Sequence, residues 1–522
     1  MTLMTIKEAS KFVTKKFGET ITPSNISYLI QYGRIRKVGN NSSTRVIQED
    51  LIKYYKNRNK EKQWKKKLGE DLNWQLSFDS VREKERTKHV HRLHPYKGKF
   101  IPQLVEYFLD GHIDDFKKEL IFQKDDIVLD PFCGSGTTLV QANELGINAI
   151  GIDISVFNSL ISNVKVKKHN IFNLQKQLNK ITRALLEFTY NAKNIEFENE
   201  LLEKLSIFNN KYFPSPHYKF RVRNKEINGW DFGKEKEKEF LDIYKKLVKK
   251  YDLEIIEDST NNFLEKWFLK PVKKEIDFVN SLIQKTEDKD IKQILEIILS
   301  RTIRSCRATK HSDLATLKKP IHTTYYCPKH YKICKPIFTI LNWWKRYSND
   351  TVKRLSQFDQ LRTNSFQHCV TGDSKKIDIF SAIQKENENF YSILKSKKIK
   401  GIFSSPPYVG LINYHRQHAY AYELFDFENR EDKEIGPLFK GKGIKARESY
   451  IEGVSQVLLN SKKYMKKNYD VLLVANDKFG LYPKIAEKAG MKIVKQYKRP
   501  VLNRTEKDKS AYSEIIFHMK EK

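Results

Sequence analysis

The stretch 126–153 constrains this chain more than any other. Asp126-Ile127-Val128-Leu129-Asp130 is a short apolar run of β type. Pro131-Phe132-Cys133-Gly134-Ser135-Gly136-Thr137-Thr138 is a glycine-rich turn, 139–145 is helical, and Asn148-Ala149-Ile150-Gly151-Ile152-Asp153 is a second strand ending in an acid. Strand, turn, helix and strand make a βαβ unit, which implies parallel strands and a right-handed crossover. Open sheets of this kind bind ligands beyond the carboxyl ends of their strands, where the glycine turn falls.

The alternation returns over 366–519. Cys369-Val370-Thr371-Gly372-Asp373 is one strand end, and Ile399-Lys400-Gly401-Ile402-Phe403-Ser404 is a strand running into Ser405-Pro406-Pro407-Tyr408. Residues 450–465 read as a helix, 470–475 as a strand and 483–489 as a helix with proline at a tolerated first position. Residues 491–499 and 512–519 read as a terminal hairpin. The two α/β parts are expected to form one sheet with helices on both faces, interrupted by an insertion that carries helical stretches and aromatic-basic loops.

Composition limits the partners. Lys and Arg number 97 against 64 Asp and Glu, a formal net charge of +33 in 522 residues, which argues for a polyanionic partner, either nucleic acid or an acidic membrane face. Hydrophobic residues at 39% suffice for several cores. No apolar run is long enough to span a bilayer, no signal peptide opens the sequence, and five cysteines do not make a disulfide framework. A soluble, cytoplasmic, multi-domain protein without a membrane partner is expected.

The first 58 residues form a small module. Helical spacing over 5–13, a Thr22-Pro23 start for a second helix over Ile26, Leu29 and Ile30, and a stop at Gly33 are followed by a basic stretch. Residues 34–41 and 44–47 read as a two-stranded wing about a Gly-Asn turn, and a third helix begins at Asp50. The module resembles the winged helix-turn-helix of excisionases and MerR-type proteins. Arg34, Arg36, Lys37 and Arg45 favour nucleic-acid contact, with a helical oligomerisation module as the alternative. Residues 59–90 read as a basic linker.

Together DPFCGSGT (130–137) and SPPY (405–408) resemble the S-adenosylmethionine-dependent amino-methyltransferases of DNA. The resemblance implies a Rossmann-like methyltransferase sheet with core parts at 91–158 and 366–522, and a mixed or mainly helical target-recognition insertion at 159–365. It implies that Asp130 and Phe132 hold the methionine part of the cofactor, Asp153 the ribose and Asp373 the adenine amine. Gly134, Gly136 and Thr137 bring the backbone close, and Tyr96 and Lys99 of the His94–Phe100 segment close over the methionine end. No P-loop Lys-Ser/Thr pair is present, which disfavours a triphosphate.

By the same resemblance Ser405, Pro406, Pro407 and Tyr408 carry the transfer. The Ser405 hydroxyl and the Pro406 carbonyl accept from the target amine, the paired prolines hold them in place, and Tyr408 stacks on a base flipped out of the duplex. Serine at the first position of the motif goes mostly with cytosine-N4 methylation, and Asp or Asn mostly with adenine-N6. The expectation is therefore a sequence-specific cytosine-N4 methyltransferase acting on double-stranded DNA. It is expected to be the bacterial modification partner of a cognate restriction endonuclease, since no nuclease motif presents itself. Adenine-N6 methylation of DNA, methylation of an RNA base, and an inactive DNA-binding regulator remain open.

The motif order resembles the alpha arrangement, with recognition before the catalytic turn. The segments 210–225 and 299–346 are then candidate DNA readers, and Arg301, Arg304, Arg307 and Lys310 recur at helical spacing, either as a DNA face or a solvated one. Residues 413–418 are expected near the flipped-base pocket. Cys327-Pro328-Lys329-His330-Tyr331-Lys332-Ile333-Cys334 resembles half of a structural zinc site, with Cys306, His311 and His322 upstream. No second compact pair follows, so no metal ligand is assigned from sequence.

Overall fold

The computed structural model describes residues 2–18, 20–39, 43–56, 68, 72–78, 81–191, 194–256, 262–311, 313, 317–501 and 512–522. Its strands are β1 (Leu3–Thr5), β2 (Arg45–Ile47), β3 (Ile127–Asp130), β4 (Asn148–Asp153), β5 (Tyr325–Cys327), β6 (Lys332–Cys334), β7 (Gln367–Thr371), β8 (Ile399–Ser404), β9 (Met465–Ala475), β10 (Met491–Pro500) and β11 (Ser513–Glu521). Two units emerge. One contains the described residues of Met1–Lys67, Ala184–Phe278 and Ser305–Leu341; the other contains those of Leu68–Arg183, Val279–Arg304 and Asn342–Lys522.

The second unit is built on one seven-stranded sheet in the order β10-β11-β9-β8-β3-β4-β7. Every pair from β9 to β7 is parallel, and β11 alone runs antiparallel to its neighbours β9 and β10. The apolar runs read from sequence become these strands, and the terminal hairpin is β10–β11. All four residues of β3 are buried, as a central strand covered on both faces requires. Ile127, Leu129, Ile150, Ile152, Ile402 and Val471 share one core with helices Ile379–Glu386, Glu388–Lys397, Ile444–Lys462 and Tyr482–Lys488. Helices Pro102–Leu109, Thr137–Glu144 and Val156–Val166 lie on the other face, where Phe108 meets Phe403 at 5.7 Å between ring centroids. Each fully buried Ile or Leu side chain here contributes about 1.5–3 kcal/mol. Gly401 lets β8 and β9 approach: a Cβ there would stand 2.1 Å from the Asp470 carbonyl oxygen.

The expected linker is in part a structural strap. Residues 57–67, 69–71, 79 and 80 lie outside the described residues, but Leu76 is buried, Asn73 N donates to Lys498 O at 2.8 Å and Arg499 Nη1 donates to Leu76 O at 3.0 Å. Residues 72–78 therefore belong to the sheet's unit because their apolar side chains bury there. The expected insertion 159–365 likewise does not form one domain. Its parts 159–183, 279–304 and 342–365 fall in the sheet's unit, and the helices Ile171–Asn191, Lys270–Gln284, Lys289–Cys306 and Leu341–Asp359 each run past a division of the chain.

In the first unit, helices Ile6–Phe17, Pro23–Gln31 and Gln48–Lys56 enclose Ala9, Val13, Ile26, Leu29, Val46 and Leu51. Thr22 caps the second helix through Asn25 N, with Pro23 in its first turn, as the sequence predicts. The wing differs from expectation. Asn40 and Asn41 of its turn lie outside the described residues, Val38 and Arg45 form a single bridge, and β2 pairs instead with β1. Strand pairing with β1 places Val46 in the module's core, a burial that a free wing does not provide. The module packs on helix His217–Arg223, where Lys219 Nζ donates to Gln31 O at 3.2 Å and Arg36 lies over the Phe220 ring at 5.2 Å. Among the described residues, no helix is long and apolar enough to cross a membrane.

Asp470 on β9 ties three strands together. Its carboxylate accepts from Lys400 Nζ of β8 at 2.5 Å and pairs with His518 Nε2 of β11 at 2.8 Å. Burial raises this carboxyl's pKa, but the hydrogen bonds from His518 and Lys400 outweigh burial and hold it at about 2. A folded pKa below the unfolded value stabilises the fold at pH above about 4, and that contribution is lost as pH falls toward 2. Asp470→Asn is expected to cost about 2 kcal/mol of unfolding free energy at pH 7 and progressively less below pH 4, in chemical denaturation series run at several pH values.

Candidate active site

A cavity opens at the carboxyl ends of β7, β4, β3 and β8. From β3 the chain builds the sheet outward through β4 and β7 on one side, and through β8 and β9 on the other. The cavity thus sits at the reversal of strand order, where the loops after β3 and β8 diverge and leave space. Of the residues singled out from sequence, Tyr96, Lys99, Asp130, Phe132, Gly134, Thr137, Asp153, Asp373, Ser405 and Pro407 line it. Gly136, Pro406 and Tyr408 do not, although they belong to the same loops.

The glycine turn is locked onto β4. Gly134 N donates to Asp153 Oδ2 at 2.7 Å, and Cys133 N donates to Ile152 O at 3.0 Å. Gly134 has φ +53°, and a Cβ on it would lie 2.9 Å from the Tyr96 hydroxyl, so the close approach of that ring needs glycine. Cys133 is a buried packing residue of the turn. Asp153 Oδ1 also accepts from Ser155 N at 2.9 Å and Asn158 Nδ2 at 3.1 Å. Burial raises the pKa of Asp153 to about 6 despite these donors. Asp130 is likewise raised to about 6 by burial, against hydrogen bonds from Ser404 Oγ at 2.5 Å and Phe132 N at 3.3 Å.

Asp373 follows β7 and is held by Lys375, whose backbone N donates to Oδ1 at 3.1 Å and whose Nζ lies 3.6 Å from Oδ2. The Tyr96 ring lies near-parallel to Tyr414, 6.0 Å between centroids, and to His418 at 6.2 Å. Lys99 Nζ donates to His91 O at 2.6 Å, and burial lowers its pKa to about 8. Sequence reasoning missed Asn158 and Glu434. Asn158 sits one helical turn after the Ser155 cap, a spacing that aims it back at Asp153. Glu434 comes from a separate loop that no local pattern marks, and it accepts from His415 N at 2.9 Å and from the His415 ring.

The SPPY turn follows β8 directly. Ser405 Oγ donates to Val474 O of β9 at 3.1 Å, so its oxygen keeps its lone pairs for another donor. Pro406 is buried and Pro407 reaches the cavity. Tyr408 is half-buried, and its hydroxyl donates to Glu514 Oε1 of β11 at 3.0 Å. Of residues 413–418, Tyr414 alone lines the cavity; His415 and His418 are buried beside it.

The basic series 301–310 is not one helical face. The helix ends at Cys306, Arg307 is buried, and Arg301 is buried with Nη2 donating to Asp350 Oδ2 at 2.5 Å. Arg301 is taken up as a buried ion pair with Asp350, which Arg354 shares at 2.8 Å. The segment 210–225 is largely helical, and His311, Cys327, His330 and Cys334 come together in the first unit while Cys306 stands apart from them.

Ser404→Ala is expected to remove a charge-assisted hydrogen bond from Asp130 and to cost about 1.5–3 kcal/mol at pH 8. The cost shrinks at pH 5, where Asp130 is protonated, and thermal unfolding at the two pH values checks it.

A family profile described as DNA methylase, the N6/N4 methyltransferases, matches residues 35–161. The type II methyltransferase M.MjaII of Methanocaldococcus jannaschii is 47% identical over 526 residues, covering 99% of this chain and 97% of that protein. M.BsoBI of Geobacillus stearothermophilus is 32% identical over 129 residues, 22% of this chain and 24% of the relative. M.MvaI of Kocuria varians is 30% identical over 131 residues, 25% and 27% respectively. No solved structure matches the chain. Near-complete alignment with M.MjaII at that identity, around a cavity at the sheet's switch point, shows that the chain belongs to the DNA methylases, the amino-methyltransferases that use S-adenosylmethionine.

Proposed function

We propose that the chain is the modification enzyme of a type II restriction–modification pair, methylating cytosine N4 within a specific double-stranded DNA sequence, with a cognate endonuclease as its partner. The observation that carries the choice of base is Ser405 at the head of the turn after β8, its own proton directed to Val474 O. An exocyclic amine is a poor nucleophile because its lone pair is delocalised into the ring. Acceptors at Ser405 Oγ and the Pro406 carbonyl draw the amine's protons and turn its lone pair toward the cavity. Both acceptors are held by the sheet and the paired prolines, so no reorganisation accompanies the step. The base must leave the duplex to reach them, and Tyr408 is assigned to pack against it.

The cavity walls suit S-adenosylmethionine. Carboxylates stand after three neighbouring strands, Phe132 and Tyr96 supply ring surface, and Asn158 Oδ1 and Ser135 Oγ are buried without a protein partner. In this assignment Asp153 holds the ribose, Asp373 the adenine amine and Asp130 with Phe132 the methionine part. Gly134, Gly136 and Thr137 shape the turn beneath it, and Tyr96 and Lys99 close the methionine end. Bound there, the cofactor supplies an electrophilic methyl group on its positively charged sulfur.

Tritiated methyl transfer to unmethylated DNA, followed by nucleoside mass analysis, tests the reading. N4-methylcytosine is expected, with Ser405→Ala at least about a hundredfold slower and cofactor binding unchanged, as for loss of one preorganised acceptor. N6-methyladenine as the product overturns the assignment of the base, and label in RNA alone overturns DNA as the substrate.

Cofactor binding is expected to depend on pH through Asp130 and Asp153. Both ionise near pH 6 in the folded chain, so affinity falls by up to about tenfold per pH unit for each carboxylate below that value. The cofactor-free fold responds in the opposite sense. Folded pKa values above the unfolded ones make acidification from pH 6 toward 4 stabilising for these two groups. Titration calorimetry from pH 8 to 5 checks the first, and denaturation without cofactor the second.

A further inference from the structure

Away from the cavity, the first unit gathers four residues with the chemistry of metal ligands. The ligand atoms of His311, Cys327, His330 and Cys334 all lie within 4.8 Å of one another. Cys327 Sγ is 3.9 Å from His311 Nδ1, Cys334 Sγ is 3.6 Å from His330 Nδ1, and the two imidazole centroids are 4.4 Å apart. Both cysteines are buried and reduced. We propose that these four side chains form a structural zinc site.

Local structure explains how they meet. Cys327 closes β5 and Cys334 closes β6 of a two-stranded hairpin. His330 N and Tyr331 N both donate to Cys327 O, at 3.1 and 2.7 Å, and Tyr331 has φ +56°. That tight turn folds His330 back beside Cys327. His311 arrives from the preceding segment and is set in place through its backbone N, which donates to the Tyr325 hydroxyl at 3.1 Å; the same hydroxyl lies 2.8 Å from the ring Nδ1, a contact that metal binding at Nδ1 would displace. The spacing His-x15-Cys-x2-His-x3-Cys thus hides one ligand from any search for two compact pairs.

The donor set selects the metal. Two thiolates and two imidazoles without a carboxylate suit Zn²⁺ and do not suit Mg²⁺ or Ca²⁺. With Zn–S about 2.3 Å and Zn–N about 2.0–2.1 Å, tetrahedral ligand atoms stand about 3.3–3.8 Å apart. The observed cluster needs only a small contraction to match. Four protein ligands leave no open position, which makes the site structural rather than catalytic. The hairpin also needs a staple. Its strands have three residues each, and its own core is Tyr325, Cys327 and Cys334 with Ile321 against them. Isolated hairpins of that size are marginal in water. The far side is already tied down, since Ile333 exchanges two hydrogen bonds with Asn209 at 2.9 and 3.0 Å and Tyr326 N donates to Glu237 at 2.8 Å. Zinc would fix the near side to the segment bearing His311.

The test uses the full chain without an affinity tag. Elemental analysis of wild type is expected to find about one zinc per chain, and Cys327→Ser and Cys334→Ser below about a tenth of that. Cys306→Ser, outside the cluster, is expected to keep its zinc. To separate metal loss from misfolding of a ligand variant, the wild-type chain is also exchanged with Co²⁺, where the absorption of tetrahedral cobalt bound to thiolate and imidazole is expected. Three results overturn the proposal: wild type that holds no stoichiometric zinc and takes up no cobalt, zinc retained in both ligand variants, or an intact mass showing a Cys327–Cys334 disulfide.

Discussion

The hydrogen bond from the Gly134 amide to the Asp153 carboxylate joins the loop after the first strand of the βαβ unit to the end of the second. It sets the depth of the cavity floor. Asp153 sits there because β4 ends there, and Gly134 reaches it because no side chain keeps the two loops apart. The same carboxylate then organises the start of helix Val156–Val166 through Ser155 N and Asn158. One buried acid with three protein donors thus defines the turn, the strand end and the helix that follows.

Around this point the sheet places chemistry by strand order. β8 lies beside β3, so Ser404, the last residue of β8, reaches Asp130, the last of β3, and Ser405 is delivered to the cavity next to it. β9 lies on the far side of β8 and offers Val474 O to the Ser405 hydroxyl. Adjacent strands therefore orient the Asp130 carboxylate and the Ser405 hydroxyl at the cavity within one framework. Tyr408 hangs on the same frame through Glu514, which in turn accepts from Arg499 Nε at 3.1 Å, so the hairpin β10–β11 supports the turn 405–408 from outside the cavity.

The motifs were legible because their chemistry is local. A glycine turn between two apolar strands and a proline pair after a third are short-range patterns, and with the other residues singled out from sequence they place ten side chains or backbones on one cavity. The recognition region was less legible. Arginines 301, 304 and 307 look like a DNA-facing series in sequence, yet Arg301 and Arg307 are buried, and the helix stops before the series ends. Charge alone does not say which side of a helix meets the core. The histidine–cysteine cluster was half visible for a related reason: three of its residues sit within eight positions and the fourth, His311, lies sixteen positions upstream of Cys327.

Sequence by itself determined the parallel α/β sheet, the glycine turn and its acids, the proline turn after β8 and the terminal hairpin. Period, turn chemistry and strand-end residues are properties of consecutive positions. Tertiary structure alone decided the division of the insertion between two units, the pairing of β2 with β1, the strap at 72–78, the place of Glu434 in the cavity and the convergence of His311 with the hairpin cysteines. Each of these joins residues far apart along the chain. Such contacts are chosen by which apolar surfaces find burial and which buried polar groups find partners, and both are settled only when the whole chain has packed.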